Sequence, residues 1–344
     1  MSYKRGISAL RGIIPDIIPH TQYISNDAYI KDITGIDTSN PSSRETVGPA
    51  IAQALDYDFI WSTFEMPVEG RMTDMGHAEW SAVDQYNTRV SCPFTTTEDV
   101  LTFDPVEEYQ PSPHATIVEA FRSHLRKARI AYPEAVYPGG RYNTLFSACI
   151  RTFGWEMFLT SVPHNEERFD RVLEGFFRLS QIEVEAWLET DIDVYLCHDD
   201  IVWTSGAVFH PEWYRRYIFP RYRKLWDPLR EKGVTVLYCA DGDFTAFIDD
   251  IAEAGADGFI FEPTTSLDHI VERYGHDKAI IGNADCRVLQ YGTRDDIRAE
   301  VTRCIDRGRN CPGYFMAVGN HIPNGIPTEN IRYFFEVFES LRSR

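Results

Sequence analysis

Lys232-Gly-Val-Thr-Val-Leu-Tyr-Cys-Ala-Asp241 and Ala256-Asp-Gly-Phe-Ile-Phe-Glu-Pro263 are two stretches in which a short apolar run ends at an acidic residue. Each is followed by an amphipathic segment with helical spacing. Parallel strands that helices cover on both faces need runs of this kind, apolar on both sides. The same order occurs five times in succession, with strands predicted over 193–197, 234–239, 258–261, 278–282 and 314–318.

The segments around these strands carry signals that begin and end helices. Gly233, Gly255 and Gly275 stand at predicted helix ends, where we expect a positive φ because glycine adopts it without strain. Ser266 and Thr293 are predicted N-caps, each followed by an acid in the first turn. Helices are predicted over 116–131, 166–189, 211–232, 244–254, 266–274, 293–307 and 328–341.

Repeated β–α units are typical of an α/β fold, which leaves an open doubly wound sheet or a closed barrel. No G-x-G-x-x-G or G-x-x-x-x-G-K-[ST] motif follows a predicted strand, so the nucleotide-binding open sheets lose support. We therefore predict an α/β fold, a (β/α)8 TIM barrel with an elaborated N-terminal segment. The predicted organisation is a single domain over 1–344, with an irregular part over 1–115 and regular β/α units over 116–344.

Composition restricts the class of protein. The 344 residues are 43% apolar and 25% charged, which is typical of a globular protein, and the net charge is −18. That charge, with no basic cluster, argues against nucleic acid as a partner. No apolar run reaches membrane length, and the N-terminus does not have the pattern of a signal peptide. Seven cysteines without a C-x-x-C pair then indicate free thiols and a cytoplasmic location.

Polar side chains follow every one of the five predicted strands. TIM-barrel active sites lie at the C-terminal ends of the strands, so we expect these side chains to meet at one rim. Carboxylates, thiols and imidazoles in one pocket suit acid–base chemistry or metal binding. The residues are His198, Asp199 and Asp200; Cys239 and Asp241; Glu262; Asn283, Asp285 and Cys286; and Asn320 and His321.

Each of these residues also has a purely structural interpretation. Asp241 precedes a glycine and can shape a turn, while Glu262 can cap the next helix. Asp285 can hold its loop by accepting backbone N–H bonds. Cys239 can be an ordinary buried thiol, Cys286 can face away from the mouth, and His198 and His321 can be loop histidines with satisfied hydrogen bonds.

A zinc site is one hypothesis for this rim. Cys239, Glu262 and Cys286 come from three successive strands, and a catalytic zinc ion takes three protein ligands and keeps one open position. No tightly spaced ligand motif accompanies them. Without a metal, the carboxylates would still suit binding of a cationic ligand or general acid catalysis.

Several segments resemble the uroporphyrinogen decarboxylase superfamily, which includes corrinoid-dependent methyltransferases. The resemblance covers most of the chain, is more specific in the C-terminal half, and implies a TIM barrel. It rests on Asp199-Asp200, Ser205-Gly206, PEWYRRYIFPRYRKL (211–225), YCADGD (238–243), EAGADGFIFEP (253–263), IGNADCRVLQYGTRDDI (281–297), GNHIPNGIPTENI (319–331) and ALRGIIPDIIP (9–19).

The resemblance also separates the branches of the superfamily. True decarboxylases carry an arginine-rich N-terminal segment that grips the porphyrin carboxylates, whereas the early arginines here are Arg5, Arg11 and Arg44. An acidic rim would also repel that polyanion. Zinc-dependent thiol methyltransferases have His-x-Cys-Gly and a later cysteine, where this chain has Cys239-Ala-Asp241-Gly242 and Asn320. The resemblance thus implies a methyltransferase with an altered metal set.

The resulting hypothesis is a methyltransferase that moves a methyl group between a small methylated donor, such as a methoxylated aromatic, and the cobalt of a corrinoid protein. Loss of a phenoxide needs a Lewis acid or a proton donor at the oxygen. The aromatics Tyr142, Trp155 and Trp203 are candidates to line the pocket. The predicted roles are catalysis for His198, Asp200 and Asp241; substrate binding for Asp199, Asn283, Asp285, Asn320, His321 and Tyr142; and zinc binding for Cys239, Glu262 and Cys286.

Three alternatives stay open at this level. A methylcorrinoid:tetrahydrofolate methyltransferase would bind the pterin through Asp199, Asn283 or Asp285 and would need no metal. A uroporphyrinogen-type decarboxylase and a non-catalytic barrel that only binds a partner are the others. A homodimer is compatible with the sequence, and the role of residues 63–113 is not encoded in any motif.

Overall fold

The computed structural model of the protein describes residues 1–73 and 91–344. Its central sheet has six parallel strands in the order β2-β3-β6-β7-β8-β9. Two small two-stranded sheets, β1-β10 and β4-β5, accompany it. The strands are β1 Tyr23–Ile24, β2 Gly139–Arg141, β3 Val194–His198, β4 Val202–Trp203, β5 Gly206–Ala207, β6 Thr235–Ala240, β7 Gly258–Phe261, β8 Ala279–Ile281, β9 Tyr314–Phe315 and β10 His321–Ile322.

Single bridges extend this sheet into a ring. Met316, directly after β9, forms a parallel bridge with His20, whose carbonyl accepts a hydrogen bond from the backbone N–H of Asp58. Phe59 forms a parallel bridge with Val136, and the chain continues from there into β2. Backbone hydrogen bonds therefore link eight segments of the chain in a closed circle, as the predicted TIM barrel requires.

Helices surround the ring. The long helix predicted over 166–189 is observed as α8, and the one predicted over 328–341 is observed with those bounds as α15. The helices are α1 Tyr3–Leu10, α2 Asp27–Thr34, α3 Arg44–Ala54, α4 Thr97–Leu101, α5 Pro105–Tyr109, α6 His114–Ala131, α7 Phe146–His164, α8 Glu166–Leu188, α9 Pro211–Tyr217, α10 Phe219–Glu231, α11 Ile248–Ala254, α12 Leu267–Tyr274, α13 Cys286–Tyr291, α14 Arg294–Gly308 and α15 Thr328–Leu341.

Several local predictions need correction. The helix predicted over 211–232 is broken at Ile218, because Pro220 has no N–H to donate to the preceding turn. Gly233 and Gly255 have positive φ as predicted, but Gly275 has φ −62°. A Cβ on Gly275 would lie 2.4 Å from the carbonyl oxygen of Val271, so close packing explains this glycine. The N-terminal part, predicted to be irregular, contains α1 to α5, while residues 74–90 lie outside the description.

Alternate side chains of the strands point inward and fill the barrel interior. Leu196 in β3, Leu237 and Cys239 in β6, and Ile260 in β7 belong to one buried apolar cluster. The first helix, α1, closes the bottom of the barrel, because its residues Ile7, Ala9 and Leu10 pack into the same cluster. The open end of the barrel is therefore the end at which the strands finish.

The approach of α1 to the barrel is close. A Cβ on Gly6 would lie 2.3 Å from the carbonyl oxygen of Asp58, so glycine is needed at this contact. Arg5 holds the buried Asp58 carboxylate through hydrogen bonds of 2.9 Å and 2.7 Å. No helix in the described parts of the chain is long and apolar enough to cross a membrane. The seven cysteines, all within the described residues, are free thiols.

Candidate functional site

A layer of polar side chains lies directly above the apolar interior of the barrel. Because side chains alternate along a strand, the residue two positions beyond an interior residue points to the same side. This rule places four side chains at the barrel mouth, one step above Phe59, Leu196, Cys239 and Ile260: they are Trp61, His198, Asp241 and Glu262.

His198 ends β3 and is held on two sides. Its Nδ1 lies 3.0 Å from the carbonyl oxygen of Tyr142, which can only accept, so Nδ1 carries a proton. Its Nε2 lies 3.4 Å from Oδ1 of Asp200, and this contact is a hydrogen bond only when one of the two atoms is protonated. The Tyr142 ring stacks on the imidazole with centroids 3.8 Å apart. The three residues therefore form one unit at the mouth.

Asp200, Asp241 and Glu262 bring three carboxylates together. Asp200 accepts a 2.8 Å hydrogen bond from the backbone N–H of Asp241, and Glu262 accepts one of 2.8 Å from that of Gly242. Burial, followed by the charges of Asp200 and Glu262, raises the pKa of Asp241 well above its usual range, although a hydrogen bond with Asn320 opposes the shift. The Asp241 carboxyl therefore gives up its proton less readily than an exposed aspartate does.

Asn320 and His321 join the same group from the loop after β9. The Asn320 amide donates a 2.9 Å hydrogen bond to Oε1 of Glu262. The side-chain oxygen of Asn320 accepts a hydrogen bond from the backbone N–H of His321. The same oxygen lies 2.8 Å from Nδ1 of the His321 ring. Burial lowers the pKa of His321, with the Glu262 charge acting in the opposite direction. Of the predicted residues, the structure therefore collects His198, Asp200, Asp241, Glu262, Asn320, His321 and Tyr142 at one mouth.

Asp199 does not belong to this group, and its predicted role in substrate binding is wrong. Its side chain is fully buried on the outer side of the sheet and accepts hydrogen bonds from the backbone N–H groups of Leu145, Phe146 and Ser147. The Tyr222 hydroxyl donates a fourth bond of 2.6 Å. Asp199 therefore caps α7 from outside the helix and is not accessible to a substrate.

Asn283 and Asp285 are also occupied by structural contacts. The Asn283 amide is buried, donates to the carbonyl of Thr265 and accepts from Arg303 of α14. Asp285 caps α13 through the backbone N–H of Arg287 and holds the Arg287 guanidinium in a further set of hydrogen bonds. Both side chains have structural roles in this fold, and their part in substrate binding stays a prediction.

The predicted aromatic wall is partly present. Trp155 packs edge-on against Trp203 of β4, with ring centroids 5.0 Å apart. The hairpin β4–β5 contacts the turn after β6. The Trp203 carbonyl accepts a 3.2 Å hydrogen bond from the backbone N–H of Asp243 in that turn. Trp203 is about half exposed, at 49%. The two tryptophans flank the mouth beside the turn that carries Asp241.

The predicted zinc ligands do not fit a metal site. Within residues 1–73 and 91–344, no three His, Cys, Asp or Glu side chains are arranged to hold a metal ion. Cys239 is buried in the barrel interior, where burial and the charges of Asp241 and Asp200 raise its thiol pKa well above the usual value. Both Glu262 oxygens already accept hydrogen bonds, and Cys286 begins α13. The hypothesis of a Cys239–Glu262–Cys286 zinc site is therefore not supported by the fold.

This geometry predicts the response to metal removal. We expect the purified protein to hold less than stoichiometric zinc and to keep its ligand affinity after dialysis against a chelator. We also expect Cys239→Ala to cost about 1–2 kcal/mol of stability through lost packing but to change the ligand affinity less than threefold. Elemental analysis and ligand titration provide the check. Stoichiometric zinc that disappears in Cys239→Ala would contradict it, and Cys304→Ala, a buried thiol away from the mouth, is the matched control.

One part of the site is absent from the sequence-based prediction. Glu65 accepts from the backbone N–H groups of Tyr142 and Asn143 and from the Asn143 amide. Arg141 lies 4.0 Å from Glu65 and 2.6 Å from the buried Glu183. This cluster fixes the loop after β2 and, with it, the ring that stacks on His198. Since its members are far apart in sequence, no local pattern could indicate it.

The comparison with known proteins defines the class to which this chain belongs. The chain matches the uroporphyrinogen decarboxylase (URO-D) family over residues 78–341. The chain belongs to this family, as its sequence segments predicted. A uroporphyrinogen decarboxylase of Syntrophotalea carbinolica is 23% identical over 93% of this chain and 90% of its own length. That of Carboxydothermus hydrogenoformans is 30% identical over 39% of this chain and 37% of its own length.

A solved structure of low sequence identity shares the fold. A methyltransferase from Methanosarcina mazei superposes with a TM-score of 0.67 at 16% identity, covering 99% of each chain. A likeness at this identity concerns the architecture alone. It confirms the predicted TIM barrel with its elaborated N-terminal segment.

Proposed function

We propose that this chain is a methyltransferase that takes the methyl group of a small methylated donor, such as an aryl methyl ether, and passes it to the corrinoid of a partner protein. The observation that carries the proposal is the convergence of Asp200, Asp241 and Glu262 at the barrel mouth, where burial and then the charges of Asp200 and Glu262 raise the pKa of Asp241. Family membership and the methyltransferase likeness of the fold support it.

The barrel mouth carries a group suited to the most difficult step of the proposed reaction, the departure of the ether oxygen. An ether oxygen leaves poorly as an anion, so a proton must reach it as the C–O bond breaks. Burial and like charges tune Asp241 for this role, in the way that enzymes keep an acid protonated near neutral pH. A proton donor can take the place of a Lewis acid at the leaving oxygen, and Asp241 offers a carboxyl with a raised pKa at the mouth.

The residues divide the work in a definite way. When bound at the mouth, the corrinoid of the partner protein would supply a nucleophilic cobalt to take up the methyl group. Asp241 gives its proton to the oxygen, which keeps the electron pair of the broken C–O bond and leaves as a phenol. Glu262, held by Asn320 and the backbone of Gly242, stays in place as the charge on Asp241 appears. His198 is oriented by the Tyr142 carbonyl, and its Nε2 lies 3.4 Å from the Asp200 carboxylate.

The rival functions lose support from the same geometry. The tetrahydrofolate alternative relies on Asp199, Asn283 or Asp285 to bind the pterin. The side chains of all three have structural partners in this fold. Uroporphyrinogen decarboxylation, the activity in the names of the relatives, requires an anionic porphyrin to enter a mouth that holds three carboxylates. Repulsion between like charges in a partly buried site opposes that entry.

The test is methylation of cob(I)alamin, free or bound to a corrinoid protein, in the presence of a panel of methoxylated aromatics. We expect loss of the cob(I)alamin absorbance with stoichiometric formation of the phenol. The proposal fails if no donor of a broad panel reacts with any corrinoid. Decarboxylation of uroporphyrinogen, measured in parallel by CO₂ release, would establish the rival activity.

A further inference from the structure

The ring of His198 lies between two acceptors that compete for one proton. Its Nδ1 is 3.0 Å from the carbonyl oxygen of Tyr142, and its Nε2 is 3.4 Å from Oδ1 of Asp200. A neutral imidazole carries its proton on one nitrogen, and the hydrogen bond made there decides which nitrogen that is. With the proton on Nδ1, Nε2 can accept a proton, whereas with the proton on Nε2 that nitrogen donates to Asp200. The position of the Tyr142 carbonyl therefore decides the chemistry of Nε2.

The direction of that carbonyl is set by Glu65. Oε2 of Glu65 accepts hydrogen bonds from the backbone N–H of Tyr142 at 3.2 Å and from that of Asn143 at 3.0 Å. The Asn143 N–H and the Tyr142 carbonyl belong to one planar peptide group, in which a trans bond points them in opposite directions. With the N–H fixed on Glu65, the carbonyl is fixed on His198. The bond to the N–H also polarises the peptide group, which makes the carbonyl a better acceptor.

Glu65 is itself held in place as a carboxylate. Burial alone would raise the pKa of Glu65, but the charge of Arg141, the hydrogen bonds of Asn143 and the charge of Arg151 lower it overall. Arg151 of α7 lies 3.4 Å from Oε1, and Arg141 lies 4.0 Å from Oε2 and donates a 2.9 Å hydrogen bond to the carbonyl of Asn143. An ionised acceptor makes stronger hydrogen bonds than a neutral one. The loop is therefore anchored by charged groups that lie outside the mouth.

We infer that Glu65 is a positioning residue for His198, which it holds in the Nδ1–H form through the peptide group between Tyr142 and Asn143. Without this anchor, the Asp200 carboxylate draws the proton of the neutral ring to Nε2. With it, Nε2 stays able to accept a proton beside Asp200. The inference goes beyond the proposed methyl transfer and does not depend on it, because it concerns the protonation of one ring.

The experiment is nitrogen NMR of the full-length chain with ¹⁵N-labelled histidine, at about pH 9, where histidine side chains are neutral. The His198 signals are identified by their loss in His198→Gln. We expect wild-type His198 to carry its proton on Nδ1. In Glu65→Ala we expect the ratio of the Nδ1–H form to the Nε2–H form to fall at least about tenfold, which corresponds to about 1.4 kcal/mol.

Three further variants separate positioning from stability. Glu65→Gln keeps an oxygen for the two backbone N–H groups and should keep the ratio within about threefold of wild type. Glu65→Asp keeps the charge but is one methylene too short, so the ratio should fall as in Glu65→Ala. Glu300→Ala is the matched control, because the Glu300 carboxylate also accepts from a loop N–H, that of Asp285, and pairs with Arg303 at 2.7 Å. It should lower the thermal unfolding temperature and leave the His198 ratio unchanged.

A wild-type His198 with its proton on Nε2 overturns the inference. So does an unchanged ratio in folded Glu65→Ala, or in Glu65→Asp where the alanine variant does not fold. An equal change in Glu300→Ala overturns it as well, because the effect would then be a general loosening of the barrel. If the ratio falls as expected but no donor methylates a corrinoid, the inference stands and the proposed reaction fails. If methyl transfer occurs while the ratio does not move, the reaction stands and the inference fails.

Discussion

Asp241→Asn is expected to stabilise the protein at about pH 8 while it abolishes the proposed methyl transfer. The pKa of Asp241 is raised in the folded state, first by burial and then by Asp200 and Glu262, whereas the unfolded chain ionises it normally. The stability that protonated Asp241 contributes is present below the unfolded pKa and is lost as pH rises through the folded pKa. Asparagine does not titrate, so the variant escapes this loss.

The expected gain at about pH 8 is roughly 1–3 kcal/mol, the usual cost of an unsatisfied buried polar group. At about pH 4, where wild-type Asp241 is protonated, the two proteins should differ by less. Methyl transfer should fall at least about 100-fold, the typical contribution of a general acid. Urea unfolding across pH and a methyl-transfer assay give the two measurements.

The control is Asp243→Asn on the same turn. Asp243 accepts a hydrogen bond from the backbone N–H of Thr245, a task that asparagine retains. We expect its unfolding free energy to follow the wild-type pH profile and its activity to remain within threefold of wild type. A loss of stability in Asp241→Asn at about pH 8 would mean that the carboxylate is ionised and stabilising, which contradicts its role as the acid.

Asp199→Ala is expected to cost at least about 3 kcal/mol of stability, because it leaves three buried backbone N–H groups and the Tyr222 hydroxyl without an acceptor. The backbone N–H groups begin α7, whose residue Ser147 accepts a 2.8 Å bond from the backbone of Asp200. The substitution should therefore disturb the mouth as well as the helix.

A graded series tests this assignment. Tyr222→Phe removes one of the four donors and should cost about 1 kcal/mol. Asp199→Asn retains one acceptor oxygen and should lie between Tyr222→Phe and Asp199→Ala. Urea unfolding measures all three. An Asp199→Ala protein as stable as wild type, with altered ligand affinity alone, would restore Asp199 to the substrate site.

The strands and most helices could be predicted because local patterns determine them. The strand over Gly258–Phe261 and the helix over Thr328–Leu341 have the predicted bounds, and Thr293 caps α14 as expected. The break at Ile218 was missed because the apolar spacing continues through Pro220, whose missing N–H outweighs it. The spacing of apolar residues indicates which face of a helix is buried. It does not indicate where a proline removes a backbone hydrogen bond.

The sequence predicted that polar residues meet at the C-terminal rim of the barrel. It did not predict which individual side chains face the mouth. Asp199 and Asp200 are neighbours in sequence, yet one faces α7 and the other faces the mouth. The alternation of β3 decides between them, and extending it past His198 would have separated them. In the same way, moving two residues on from the interior residue Phe59 places Trp61 at the mouth. Glu65 has no such signal, because its contacts with Tyr142 and Asn143 cross 77 and 78 positions.

The closure of the barrel by α1 has a kinetic consequence. With Ile7, Ala9 and Leu10 packed into the lower end, the described residues leave the mouth as the route by which small molecules reach the polar layer. In the proposed methyl transfer, the donor and the bulky methyl acceptor would both use this opening, and the docked acceptor would cover it. The donor must enter before the acceptor docks, and the demethylated product must wait until the acceptor departs. Steady-state kinetics should therefore show compulsory order, with the acceptor bound last and released first.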